Sequence, residues 1–136
     1  MALLLDTGVL YALADRDDAW HKRCRRLLAS ANDLLLVPVT VLPEVCYLLH
    51  ARLGPLAERR FLASVAAGEL AVEDLGDSDT RRCVEILERY PAIGFVDASI
   101  VAMAERLGLS TIATTDRRHF GALRPRHVAA FRLVPE

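Results

Sequence analysis

Short, continuous apolar runs alternate along the chain with longer stretches in which apolar residues recur at helical spacing. Leu3 to Leu5, Leu34 to Val37 and Thr111 to Ala113 read as buried strands, each too short to stand as a helix. Leu70 to Val72 adds a short strand, and Phe131 to Val134 a last one at a sheet edge. Helices are predicted near Val9 to Leu13, from Asp18 to Ala29 with Asp17 as cap, after Thr40 as cap, and over Pro55 to Ala67, Ser78 to Glu88 and Val96 to Arg106. Pro43 falls where an early helical turn tolerates a missing amide, and Gly108 ends the helix whose apolar stripe is Ile100, Val101 and Ala104. Strands alternating with helices imply a parallel sheet wrapped on both faces. Such sheets bind ligands beyond the carboxyl ends of their strands, where the strand order reverses.

No repeat, low-complexity tract or linker divides the sequence, so one domain over residues 1–136 is expected. The 53% hydrophobic content is broken everywhere by charge and never reaches the ~20 apolar residues of a membrane span. The opening Met-Ala-Leu-Leu-Leu lacks a basic flank and is cut short by Asp6, unlike a signal peptide, so a cytoplasmic protein is expected. Cys24, Cys46 and Cys83 are too scattered for a zinc site or a disulfide framework and read as buried thiols. The net charge of −1 marks no nucleic-acid binder, but Lys22 is the only lysine and arginines are grouped at 23, 25 and 26, 59 and 60, 81 and 82, and 117, 118, 124 and 126. Arginine suits phosphate or carboxylate recognition, but for any single group a solvated helix face is the simpler account.

Candidate chemistry lies in the acids. Asp6 and Asp116 each follow an apolar strand and would meet at one sheet edge. Glu44 and Asp97 fall in early helical turns after loops from that edge, where the helix dipole favours a carboxylate. Singly, each serves as well for a cap or turn. Together they repel, each pair costing about 4 kcal/mol at ~4 Å and an effective dielectric of ~20, so a counter-charge is required. Hard divalent cations take oxygen ligands and activate water for phosphodiester hydrolysis. His21, His50, His119 and His127 lack paired zinc spacing and read as surface or packing residues.

At these positions the sequence resembles the PIN-domain family, specifically the VapC-type toxins of bacterial toxin-antitoxin pairs. The matching stretches are Leu3 to Thr7, Val41 to Val45, Phe95 to Ile100 and Thr114 to Phe120, in family order across nearly the whole chain, and Asp-Arg-Arg-His-Phe is the most specific. The resemblance implies a three-layer α/β/α fold around a parallel sheet of four or five strands. It also implies Mg²⁺ or Mn²⁺ on Asp6, Glu44, Asp97 and Asp116, supporting hydroxyls at Thr7 and Thr114, endoribonuclease activity, a homodimer, and a VapB-type antitoxin covering the cleft. Gly8 stands where relatives usually carry Ser or Asn, so one hydrogen bond to an acid or water is expected to be missing. Arg117 and Arg118, directly after Asp116, are placed to hold RNA phosphates, or equally to close a helix-end salt bridge. An aspartyl-nucleophile phosphatase needs an acid where Gly8 stands, and a receiver domain needs a lysine at its acidic pocket, which Lys22 cannot supply. A housekeeping RNA-processing nuclease and a non-catalytic PIN-like binding module remain as alternatives.

Overall fold

The computed structural model describes residues 2–136. The elements run β1 (Ala2–Leu5), α1 (Thr7–Ala14), α2 (His21–Ser30), β2 (Leu34–Pro38), α3 (Val41–Leu53), α4 (Pro55–Ala66), β3 (Ala71–Glu73), α5 (Asp77–Arg89), α6 (Phe95–Leu107), β4 (Thr111–Ala113), α7 (Arg117–Ala122) and β5 (Arg132–Val134). The five strands form one sheet in the order β3-β2-β1-β4-β5, every neighbouring pair parallel. This is the layered α/β architecture expected, with β5 at an edge. The chain moves outward from β1 through β2 to β3 and then returns to β4, so the order reverses between β1 and β4.

Helices cover both faces, which is why the central strands are uniformly apolar rather than alternating. Leu4, Leu5, Val37, Ile112 and Ala113 have no accessible surface. Helix α6 is buried from Ala98 through Ala104 and ends at Gly108, whose left-handed backbone (φ 69°, ψ 29°) lets the Leu109 N–H close on the Ala104 carbonyl at 2.8 Å. Several arginines are structural. Arg82 forks onto Glu105 at 2.7 and 3.1 Å and Arg106 reaches the buried Asp79 at 3.0 Å, pinning α5 to α6, and Arg126 pairs with Glu85, tying the segment after α7 to α5. All three cysteines are free; burial pushes the Cys24 and Cys83 thiols up to about 11, and Cys46 is half-buried. Among the described residues no helix is long and apolar enough to cross a membrane.

Two predicted caps are corrected. Asp17 does not cap α2: Asp15 accepts its N–H and Asp18 accepts that of Trp20, so neighbouring aspartates form competing turns, and α2 starts only at His21 without a side-chain cap. Thr40 stands before α3 in helical backbone (φ −68°, ψ −22°), from which its hydroxyl caps nothing; it meets Ser99 Oγ at 2.6 Å and ties α3 to α6. Helix α7, of six residues, has no counterpart among the predicted elements, being too short to show a period.

Candidate metal centre

The β1–β4 register pairs Leu5 with Ala113, so the next residues, Asp6 and Thr114, face one another as the strands end. The Asp6 N–H bonds the Ala113 carbonyl at 2.9 Å. Its Oδ1 accepts from the Thr7 N–H at 2.8 Å, and its Oδ2 accepts from the Thr114 hydroxyl at 2.8 Å. The same hydroxyl accepts the Asp116 N–H at 2.9 Å, so one threonine couples the two strand ends. Asp6 is 6% exposed, and burial raises its pKa to about 6 against the Thr114 and Thr7 hydrogen bonds, with the charges of Asp97 and Glu44 adding to the rise.

Asp97 sits in the first turn of α6 and Glu44 in the first turn of α3. The Asp97 carboxyl is also raised, first by burial and then by Asp116, with the nearby His119 ring opposing. Asp6, Glu44, Asp97 and Asp116 all line one open crevice of about 590 Å³ at the β1–β4 reversal, together with Thr7, Tyr11, Arg52, Phe95, Thr115 and His119. The four acids read from the sequence are therefore on one wall system. The tightest group is Asp97, Asp116 and His119, whose ligand atoms lie within 4.8 Å of one another.

His119 is a correction. Its Nδ1 stands 2.8 Å from Asp116 Oδ2 and 3.2 Å from Asp97 Oδ2. The available signal was its spacing from Asp116, three residues on, which places both on one face of a helical start. The other histidines do pack: His21 and His127 meet the carbonyls of Ala12 and Leu109, each at 2.6 Å, and His50 meets Glu58. Arg117 turns away from the crevice, donating to the Pro135 carbonyl with its guanidinium 5.6 Å from the Trp20 ring centroid, and the exposed Arg118 does not line the crevice either. Among the described residues Arg52 is the arginine that does, 5.1 Å from the Tyr11 ring centroid and in no ion pair. A lone arginine late in α3 carried no sequence signal.

The donor set fits a hard divalent cation. Two carboxyls are held against their charged forms by burial and by neighbouring carboxylates, a cost that a cation would reverse. The Thr7 hydroxyl lies buried beside them without a hydrogen-bond partner.

The PIN domain family model matches residues 3–124. The chain is 33% identical over 135 residues to Ribonuclease VapC26 of Mycobacterium tuberculosis, covering 98% of this chain and 100% of that one. The crystal structure of Mycobacterium tuberculosis VapC20, a sarcin-ricin loop cleaving toxin, superposes with a TM-score of 0.81 at 26% identity, covering 88% and 94% of the two chains. VapBC2 from Rickettsia felis, bound to a promoter DNA fragment, shares the fold at a TM-score of 0.70 and 20% identity over 98% of each chain. A sheet whose order reverses between β1 and β4, acids gathered at that reversal, and a family match spanning most of the sequence agree, and the chain belongs to the PIN domain family.

Proposed function

We propose that this chain is a metal-dependent endoribonuclease that hydrolyses RNA phosphodiester bonds, acting as the toxin of a VapBC-type toxin-antitoxin pair. The observation that carries the reading is the convergence of Asp6, Glu44, Asp97 and Asp116 on one crevice at the strand-order reversal. A ribonuclease relative over nearly the full length supports the choice of RNA. Toxin-antitoxin complexes among the structural neighbours support a VapB-type antitoxin partner, and a homodimer accompanies that reading.

Asp6, Asp97, Asp116 and Glu44 would hold Mg²⁺, with Mn²⁺ as a substitute. The bound cation supplies a more acidic water and neutralises charge gathering on the phosphate. The chain's own residues do the rest. Thr114 fixes the Asp6 carboxylate through one oxygen while the Thr7 amide fixes the other. The His119 ring stands between Asp97 and Asp116, its Nδ1 within 3.2 Å of both carboxylates, and positions them before substrate arrives. Arg52, near the end of α3 and in no ion pair among the described residues, lines the crevice and binds a phosphate flanking the scissile one. Arg118 is exposed and remains available to a phosphate farther along the strand.

Purified protein incubated with RNA tests this directly. Cleavage with Mg²⁺ or Mn²⁺ that leaves 5′-phosphate and 3′-hydroxyl ends is expected. Cleavage that survives EDTA, or that yields 2′,3′-cyclic phosphates, overturns the metal-dependent reading.

A further inference from the structure

Three threonine hydroxyls surround the acids, and they differ in what they are free to do. Thr114 Oγ1 is spent within the protein, donating to Asp6 and accepting from the Asp116 N–H, in a residue with no accessible surface. Thr7 Oγ1 is sealed from solvent. Thr115 is half-buried, lines the crevice, and makes no side-chain hydrogen bond among the described residues. Of the three, it is the hydroxyl able to bond a molecule that enters.

Its seat depends on a residue from the other end of the chain. A Cβ built on Gly8 would fall inside the van der Waals envelope of Thr115 Oγ1 and would stand 3.3 Å from Thr115 Cβ. Gly8 lies in the first turn of α1, and it is not among the glycines of positive φ, so the backbone does not demand glycine there. Space demands it. The Thr115 hydroxyl thus fills the volume that a side chain at position 8 would take, between the Asp6 and Asp116 turns.

We propose that Thr115 is a further substrate-contacting residue, its hydroxyl donating to a phosphate oxygen of the RNA from the space that Gly8 leaves. The proposal rests on the nuclease reading and extends it to a group supplied by the β4–α7 turn. Glycine at position 8 is then the condition for this hydroxyl rather than a missing contact.

Thr115→Val removes the hydroxyl at nearly constant shape. Cleavage is expected to fall about tenfold, the worth of one lost hydrogen bond, with an unchanged melting temperature. Thr115→Ser should lose less. Gly8→Ala should displace the hydroxyl and slow cleavage similarly, yet add little in the Thr115→Val background, because both changes remove the same contact. Weaker binding of a short RNA by Thr115→Val, read by fluorescence anisotropy in an Asp97→Asn background that does not cut, gives a measure independent of turnover. A wild type that cuts no RNA with any divalent ion removes the nuclease reading and this contact with it. A wild type that cuts while Thr115→Val cuts and binds equally well overturns this contact alone.

Discussion

Asp116 Oδ2 stands 2.8 Å from Nδ1 of His119, three residues further along the chain. The same ring nitrogen is 3.2 Å from Asp97, so the imidazole occupies the gap between two carboxylates that repel. His119→Ala should therefore lower the melting temperature of the metal-free protein. The loss should be below about 1 kcal/mol, because the ring is 38% exposed and solvent screens the pair. Saturating Mg²⁺ should erase the deficit by placing a positive charge between the two carboxylates. A deficit of equal size with and without Mg²⁺ would make His119 a packing residue instead.

Asp6 gives a pH dependence with a definite sign. Its folded pKa of about 6 lies above the ordinary aspartate value of 3.8, so the folded chain holds this proton more tightly than the unfolded chain. The resulting stability is full below about pH 4 and is lost as pH rises through 6. Asp6→Asn cannot ionise, so the metal-free wild type should lose roughly 2 to 3 kcal/mol relative to it between pH 4 and pH 7. Urea denaturation of both proteins across that range measures the difference. Half-saturating Mg²⁺ for the wild type should rise as pH falls below 6, because proton and metal compete for one carboxylate. A pH-independent stability difference would place Asp6 in solvent, against its burial.

Arg52 and Arg117 should separate cleanly. Arg52→Ala should weaken RNA binding and reduce the salt dependence of that binding by about one phosphate contact. Arg117→Ala should leave the salt dependence intact and lower the melting temperature, since its guanidinium ties α7 to the Pro135 carbonyl and packs near Trp20. Binding isotherms at several salt concentrations, with melting curves beside them, distinguish the roles. Exchanged outcomes would restore Arg117 as the phosphate residue.

How much of this was readable beforehand follows from which interactions are local. Leu3 to Leu5 and Thr111 to Ala113 declare themselves as buried strands, and an acid directly after a strand, or in the first turn of a helix, is a local pattern. That is why Asp6, Glu44, Asp97 and Asp116 were visible. The direction of a long side chain is not local: Arg117 follows Asp116 in sequence but leaves the crevice because the C-terminal segment offers it a carbonyl. His119 was hidden because α7 is too short for its faces to be read. The contact of Gly8 with Thr115 joins opposite ends of the chain and exists only once β1 and β4 pair.

Asp97 offers the sharpest division between a metal ligand and a structural acid. Its carboxyl is raised by burial first and by Asp116 next, so in the metal-free protein at neutral pH its charge opposes folding. Asp97→Asn removes that charge while nearly preserving shape. Cleavage should fall more than ~100-fold because a ligand of the catalytic cation is lost, while the metal-free variant melts at the wild-type temperature or higher. The sign follows from linkage: a raised carboxyl pKa stabilises the fold only at low pH, so the variant's advantage should shrink as pH falls toward the unfolded value near 4. Added Mg²⁺ should raise the melting temperature of the wild type more than that of the variant, since binding to the folded state alone shifts stability by mass action. A capping role for Asp97 predicts the reverse, a loss of about 1 kcal/mol without metal and an unaltered response to it. The hydrogen bonds of the site disfavour that alternative, because the Asp97 carboxylate faces His119 and Asp116 across the crevice and accepts no amide of its own helix. Melting curves of both proteins in EDTA and in Mg²⁺ decide it, and a variant that is less stable in EDTA yet responds to Mg²⁺ like the wild type takes Asp97 out of the metal site.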